Sequence, residues 1–240
     1  KHMAGGGIGN NGTNASPVEI GEGELRNIIL SPFKNTIQQT HPFTLMPAHN
    51  EINGIPGHAD KRLLTEIARN EFGFKGFIIS DWMDMEAISR KHKITETIKE
   101  AFQISVDAGV DMHMHGPEFL ENIKELVLEG KLSEERINQA CEKILTAKFM
   151  LGLFENRYVN SGKQSKNVFT KEHQQTALDI ARKGVVLLKN ENDILPIVSG
   201  KYKNILVAGP NSDNQSIMGD WVFDQPRANY VTVLDGIKSF

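Results

Sequence analysis

At 240 residues, with 39% hydrophobic and 24% charged residues, the chain is long enough for one large domain or two ordinary ones and apolar enough to pack a core. A formal net charge of -3, with acidic and basic residues in mixed order, excludes an extended basic face for nucleic acid or an acidic membrane surface and points to small neutral partners. The single cysteine, Cys141, cannot form an internal disulfide, nothing near the N-terminus has the charged start and apolar core of a signal peptide, and no run approaches a membrane span.

Taken in order, Lys1-His2-Met3-Ala4 opens with no strand before it, and His-Met is also what a cloning site leaves behind. Residues 5–12, GGGIGNNG, match G-x-G-x-x-G at Gly7, Gly9 and Gly12. A dinucleotide site needs a strand before that motif, a helix after it and an acidic residue about twenty positions on. Here no strand precedes the motif and residues 13–17 are loop-like, so a flexible loop is predicted. Leu25, Ile28, Ile29, Phe33 and Ile37 recur at helical spacing and predict a core-facing helix over 22–37, kinked or divided at Pro32. Residues 43–46 read as a strand, followed by a polar loop carrying His49, Asn50 and Glu51. After a turn cluster at 53–57, Leu63, Leu64, Ile67 and Ala68 predict an amphipathic helix over 61–70.

The most informative stretch is GFKGFIISDW, residues 73–82. A short apolar run bounded by glycine reads as a strand buried on both faces, as in a parallel sheet covered by helices. Asp81 then stands at the C-terminal end of that strand, where (β/α)-type enzymes place their chemistry. On spacing alone it could equally N-cap a helix at 83–89, and Asp84 and Glu86 read as decoration of that helix. A helix over 94–107 and a strand over 109–112 follow, at the strand-to-strand spacing of a βαβ unit. Asp111, His113 and His115 alternate with methionines and are of a type that binds zinc or iron, although a polar strand end needs no metal. Residues 117–129 predict another helix, and Ser133 the cap of a longer one, with Ile137, Cys141, Ile144 and Leu145 facing inward. Residues 156–169 lose apolar periodicity and read as a linker between a domain at 1–155 and a second α/β domain at 170–240. That second domain is expected to open with a helix capped by Thr170 and strands at 185–188 and from 204.

The ordered series Lys1-His2, MPAHNEINGIP (46–56), LLTEIARNEFGFKGFIISDW (63–82), AGVDMHM (108–114), KFMLGLFEN (148–156), VVLLKNENDILP (185–196), and VAGPN with GDW (207–211 and 219–221) closely resembles glycoside hydrolase family 3. The resemblance spans essentially the whole chain, and SDW after GFKGF is its most specific part. It implies an α/β fold: the C-terminal part of a TIM-like barrel followed by the start of a second α/β sandwich domain. Only about half of an eight-strand barrel is represented, so the residues are expected to belong to a larger polypeptide.

The activity it implies is removal of a terminal β-linked sugar with retention of configuration. Asp81 matches the family's nucleophile, and Lys1 and His2 match its sugar-binding pair. Met46 and Trp82 fall where the family lines its sugar subsite, and His49 stands where a tyrosine is frequent. The family's acid/base is usually a glutamate later than any residue present. The Asp-His pair of the N-acetylglucosaminide subgroup has no counterpart in residues 5–16. The resemblance implies a saccharide substrate, no cofactor and no metal, leaves homo-oligomerisation open, and favours a periplasmic or secreted location.

Overall fold

The computed structural model describes residues 1–219 and 221–240 and divides into two compact units, Lys1–Val159 and Asn160–Phe240. Asp220 of the GDW motif lies outside the described residues.

The first unit is α/β. Its strands are β1 (Thr44–Leu45), β2 (Glu51–Ile52), β3 (Ile55–Pro56) and β4 (Phe77–Ile78). β1 pairs parallel to β4 in the register Leu45↔Ile78, while β2 and β3 form a small antiparallel pair. Parallel bridges extend the first ladder on both sides, Met3 to Pro47 and Ile79 to Met112. Four parallel segments therefore lie side by side in chain order, joined by backbone bonds such as Met3 N–H to Met46 O (2.8 Å) and Ile79 N–H to Leu45 O (2.9 Å). All four present their C-terminal ends to the same edge. The pairing of Met3 also corrects the expectation that no extended segment precedes the glycine-rich stretch.

The helices cover this ladder. α1 (Glu22–Glu24) passes through a π-type turn, Leu25–Ile29, into α2 (Ser31–Thr40), dividing near Pro32 as its missing N–H requires. Leu25 and Ile37 are buried, but Ile28 faces solvent, contrary to the periodic reading. The π-type helix Arg62–Glu71 buries Leu63, Leu64, Ile67 and Ala68, the stripe the sequence predicted, and Asp60 Oδ1 accepts the Leu63 N–H at 2.9 Å. α3 (Asp84–Arg90) is followed by α4 (Ile98–Ala108), whose Thr97–Glu100 capping box starts it later than predicted and leaves Ile94 exposed. α5 (Phe119–Leu128) and α6 (Glu134–Met150) complete the unit, with Ser133 capping α6 through the Arg136 N–H. Phe102, Leu64, Ile67, Ile78, Met85 and Leu126 form the centre of the core.

α6 departs in part from the inward stripe its apolar residues suggested: Ile137 packs against the core and Ile144 is half-buried, but Cys141 and Leu145 are exposed, while Ala140 and Ala147 are buried. The reason is Asp111. Its buried carboxylate accepts the Ile78 N–H at 2.8 Å and pairs with Arg69 and with Arg136 (3.0 Å). Arg136 also donates to the carbonyls of Val106 (3.0 Å) and Val110 (2.8 Å). Positions 136, 140, 143 and 147 lie on one helical stripe, so the charge pairing of Arg136 with a buried carboxylate turns that partly polar stripe inward. The Lys143 ammonium is held below its ordinary pKa by burial, opposed by the Asp111 charge.

The second unit holds α7 (Ser161–Asn167), α8 (Lys171–Gly184) and α9 (Val233–Lys238), and no strand among the described residues. Thr170 caps α8, its Oγ1 accepting the His173 N–H at 3.2 Å. α7 occupies part of the stretch expected to be linker. The predicted strands at 185–188 and from 204 are irregular and exposed, Leu188 at 93%. An apolar run becomes a strand only with a neighbour to take its N–H and C=O groups, and none is in place here.

Candidate active site

The ladder edge that receives the C-terminal ends carries a compact set of imidazoles and carboxylates. Ser80 fixes the end of β4: its N–H donates to Met112 O (2.9 Å) and its Oγ accepts the Met114 N–H (2.9 Å). Asp81 follows, 8% exposed, with its own N–H donating to His58 Nε2 at 2.9 Å. Asp81 Oδ1 accepts the Trp82 N–H at 2.6 Å. The capping alternative fails on geometry, because α3 begins at Asp84 after Met83, a left-handed residue, and no side chain caps it.

Asp81 Oδ2 lies 3.1 Å from His2 Nε2 and 3.2 Å from His49 Nε2. Both are contact distances at which charge attracts, yet neither is aligned as a hydrogen bond, and Oδ2 is buried without a hydrogen-bond partner among the described residues. The imidazoles of His2 and His49 lie near parallel, their centroids 6.1 Å apart. His2 is held below its ordinary pKa by burial, with the Asp81 charge acting the other way.

Behind His49 stands Asp84. Its Oδ2 is 2.6 Å from His49 Nδ1 and 3.4 Å from His58 Nδ1. Since His58 Nε2 accepts the Asp81 N–H, neutral His58 carries its proton on Nδ1 and presents it to Asp84. Asp81, His49, Asp84 and His58 thus form a closed ring, from carboxylate through two imidazoles and back to the backbone N–H of the same aspartate. Burial raises the Asp84 pKa, opposed by His49. Asp84 is accordingly part of the site and not decoration of α3. Glu86 is no decoration either: it is buried against His113 at 3.2 Å.

His58 is 2% exposed, and burial lowers its pKa from 6.5 to about 3 against the pull of Asp81. As pH falls below 6.5 the unfolded chain takes up this proton and the folded chain does not until about pH 3. The stabilisation is therefore complete above the unfolded value and lost as pH falls through that window. Stability measured by urea unfolding is expected to fall by up to about 1.4 kcal/mol per pH unit more steeply in the wild type than in His58→Gln. Equal slopes would contradict the neutral assignment of His58.

Of the residues singled out in the sequence, His2, His49 and Asp81 meet directly. Trp82 adjoins them through its backbone, with its indole 58% exposed and stacked on His115 at 3.7 Å and 11°. Met46 is buried at the end of β1, its carbonyl bonded to Met3, and Lys1 is exposed. Asp111, His113 and His115 do not converge. Asp111 turns to Arg69 and Arg136, His113 pairs with Glu86 and stacks on Phe119 (4.6 Å), and His115 lies on Trp82. The second half of the glycine motif is itself a short 3-10 turn, Asn10–Gly12, and residues 13–17 after it are not helical, so the dinucleotide arrangement is not formed. Sequence reasoning missed His58 and Asp84. The only signal was their polarity beside turns, because the contacts joining them to residues 49 and 81 follow no local period.

Comparison with known proteins identifies the family. Residues 1–147 match the model described as glycosyl hydrolase family 3 N terminal domain, and residues 185–240 match the family 3 C-terminal domain. A beta-xylosidase of Formosa agariphila is 34% identical over 99% of this chain, which covers 35% of that protein. A periplasmic beta-glucosidase of Salmonella typhimurium is 31% identical over 100% of this chain, covering 32% of that protein. Among solved structures, a beta-glucosidase from Listeria innocua aligns over 100% of this chain and 33% of its own, with a TM-score of 0.85 and 31% identity. The chain thus spans about a third of the length of these relatives. The chain belongs to glycosyl hydrolase family 3.

Proposed function

We propose that this chain supplies the nucleophile side of a retaining, exo-acting β-glycosidase that acts on terminal non-reducing β-linked sugars, β-glucosides first, through a covalent glycosyl-aspartate intermediate. One observation carries the proposal: the carboxylate of Asp81 sits at the C-terminal end of a parallel strand with one oxygen free of hydrogen bonds and an exposed indole beside it. In this reading the four parallel segments are consecutive strands of a TIM-like barrel, whose C-terminal mouth is where such folds hold substrate. The second domain begins after the linker, within residues 170–240.

In the retaining reaction Asp81 Oδ2 attacks the anomeric carbon while a second carboxyl group about 5–5.5 Å away protonates the leaving oxygen; water then releases the sugar. Asp84 is not assigned that second role, since its buried carboxylate is engaged by two imidazoles. The acid/base is assigned to no residue of this chain. His2 and Lys1 offer donors to sugar hydroxyls. Trp82 offers an indole face to the C–H side of a pyranose, steadied by His115 beneath it, and Met46 lies at the end of the neighbouring strand.

A β-xylosidase is the second reading, favoured by the names of several relatives. The intact protein is expected to hydrolyse an aryl β-glucoside with a higher kcat/KM than the matching β-xyloside. The reverse order would move the assignment to xylosides, and no turnover of either would make the chain part of a sugar-binding relative without activity.

A further inference from the structure

Asp81 Oδ2 is buried and unbonded although two imidazole nitrogens flank it at 3.1 and 3.2 Å. An N–H aimed at a carboxylate oxygen draws in to about 2.7–2.9 Å. Contacts of 3.1 and 3.2 Å that are not aligned as hydrogen bonds also fit the spacing of neighbouring ligand atoms about one ion. Bonds of about 2.0–2.1 Å at tetrahedral angles set neighbouring ligand atoms about 3.3 Å apart.

The surroundings fit the same chemistry. His49, Asp81 and Asp84 offer ligand atoms within 4.8 Å of one another. His49 Nδ1 is taken by Asp84 at 2.6 Å, so its Nε2 is the nitrogen turned to Asp81. A carboxylate on the remote nitrogen of an imidazole fixes the tautomer whose other lone pair is free to bind a metal, and increases its basicity. Among the described residues neither Asp81 nor Asp84 forms an ion pair with a lysine or arginine, and the charged groups in contact with them are imidazoles.

We propose that His2 Nε2, His49 Nε2 and Asp81 Oδ2 form a binding site for a zinc-class divalent cation, with Asp84 orienting His49 from behind. Two imidazoles and one carboxylate with open positions suit zinc and its transition-metal neighbours and disfavour calcium or magnesium, which take oxygen ligands. The consequence for activity rests on the proposed function. Because the same oxygen is the proposed nucleophile, the ion excludes the sugar and acts as a competitive inhibitor.

Calorimetric titration of zinc chloride into the intact protein tests the site independently of turnover. One equivalent is expected to bind, with affinity reduced at least about tenfold in His49→Gln and in His2→Ala. Asp84→Asn is expected to lose about 10–100-fold, while His173→Gln, on an exposed helix far from these ligands in sequence, binds as the wild type. Far-UV circular dichroism checks that each variant is folded, and glucose is expected to weaken zinc binding. Absence of binding, or variants of His2 and His49 that bind as tightly as the wild type, would overturn the proposal. Binding that depends on these residues in a protein that hydrolyses no glycoside would uphold the metal site while refuting the assigned activity.

Discussion

Asp81→Asn in the intact protein is expected to lower kcat on an aryl β-glucoside by at least about 10⁴-fold, the scale on which removal of a catalytic nucleophile is felt. Asparagine is nearly isosteric, and its carbonyl oxygen can still accept the Trp82 N–H that Asp81 Oδ1 accepts at 2.6 Å. The backbone bond to His58 Nε2 does not involve the side chain. The turn and the imidazole ring around it are therefore retained, and the loss reports the missing attacking oxygen. Since the ground-state sugar contacts assigned to Lys1, His2 and Trp82 remain, KM is expected to change far less than kcat. Turnover within tenfold of the wild type would place the nucleophile elsewhere.

His49→Phe is expected to lower kcat by about 10²-fold with a smaller change in KM, the cost of letting a reacting group drift by about an ångström. The phenyl ring keeps the bulk beside His2 but removes both nitrogens, which stand 3.2 Å from Asp81 and 2.6 Å from Asp84. Asp84 is then left facing only His58, at 3.4 Å. Asp84→Asn is expected to lose less, because the amide oxygen can still accept from His49 Nδ1 while the charge is gone. His49→Gln, which restores one polar atom, is expected to fall between phenylalanine and the wild type. These values follow from kcat and KM measured separately. If His49→Phe raised KM and left kcat unchanged, His49 would serve sugar binding and not the positioning of Asp81.

How far the sequence reached depended on whether a feature was local. The run Phe77-Ile78-Ile79 ending in Ser80-Asp81 was legible because burial and the polar stop fall within a few residues, and β4 forms there with Ile78 fully buried. The stripe Leu63, Leu64, Ile67 and Ala68 was legible for the same reason. α6 was legible only in part: Ile137 does pack on the core, but Cys141 and Leu145 face out because the helix is turned by Arg136 reaching Asp111, a partner on a distant strand end. Residues 185–188 were apolar enough for a strand, but strand formation depends on a neighbouring strand that local composition does not reveal. In the site, Asp81 and His49 were legible as polar residues at strand ends, and the resemblance in motif order added His2. His58 and Asp84 were not legible, since the ring they close joins residues 23 to 35 positions apart.

The proposed reaction turns on a bond between Asp81 Oδ2 and the anomeric carbon. Incubation of the intact protein with a 2-fluoro glycoside bearing a good leaving group, followed by digestion and mass spectrometry, tests it most directly. One fluoroglycosyl increment is expected on the peptide containing Asp81 and none in Asp81→Asn. An increment on any other carboxylate of the active protein would contradict it.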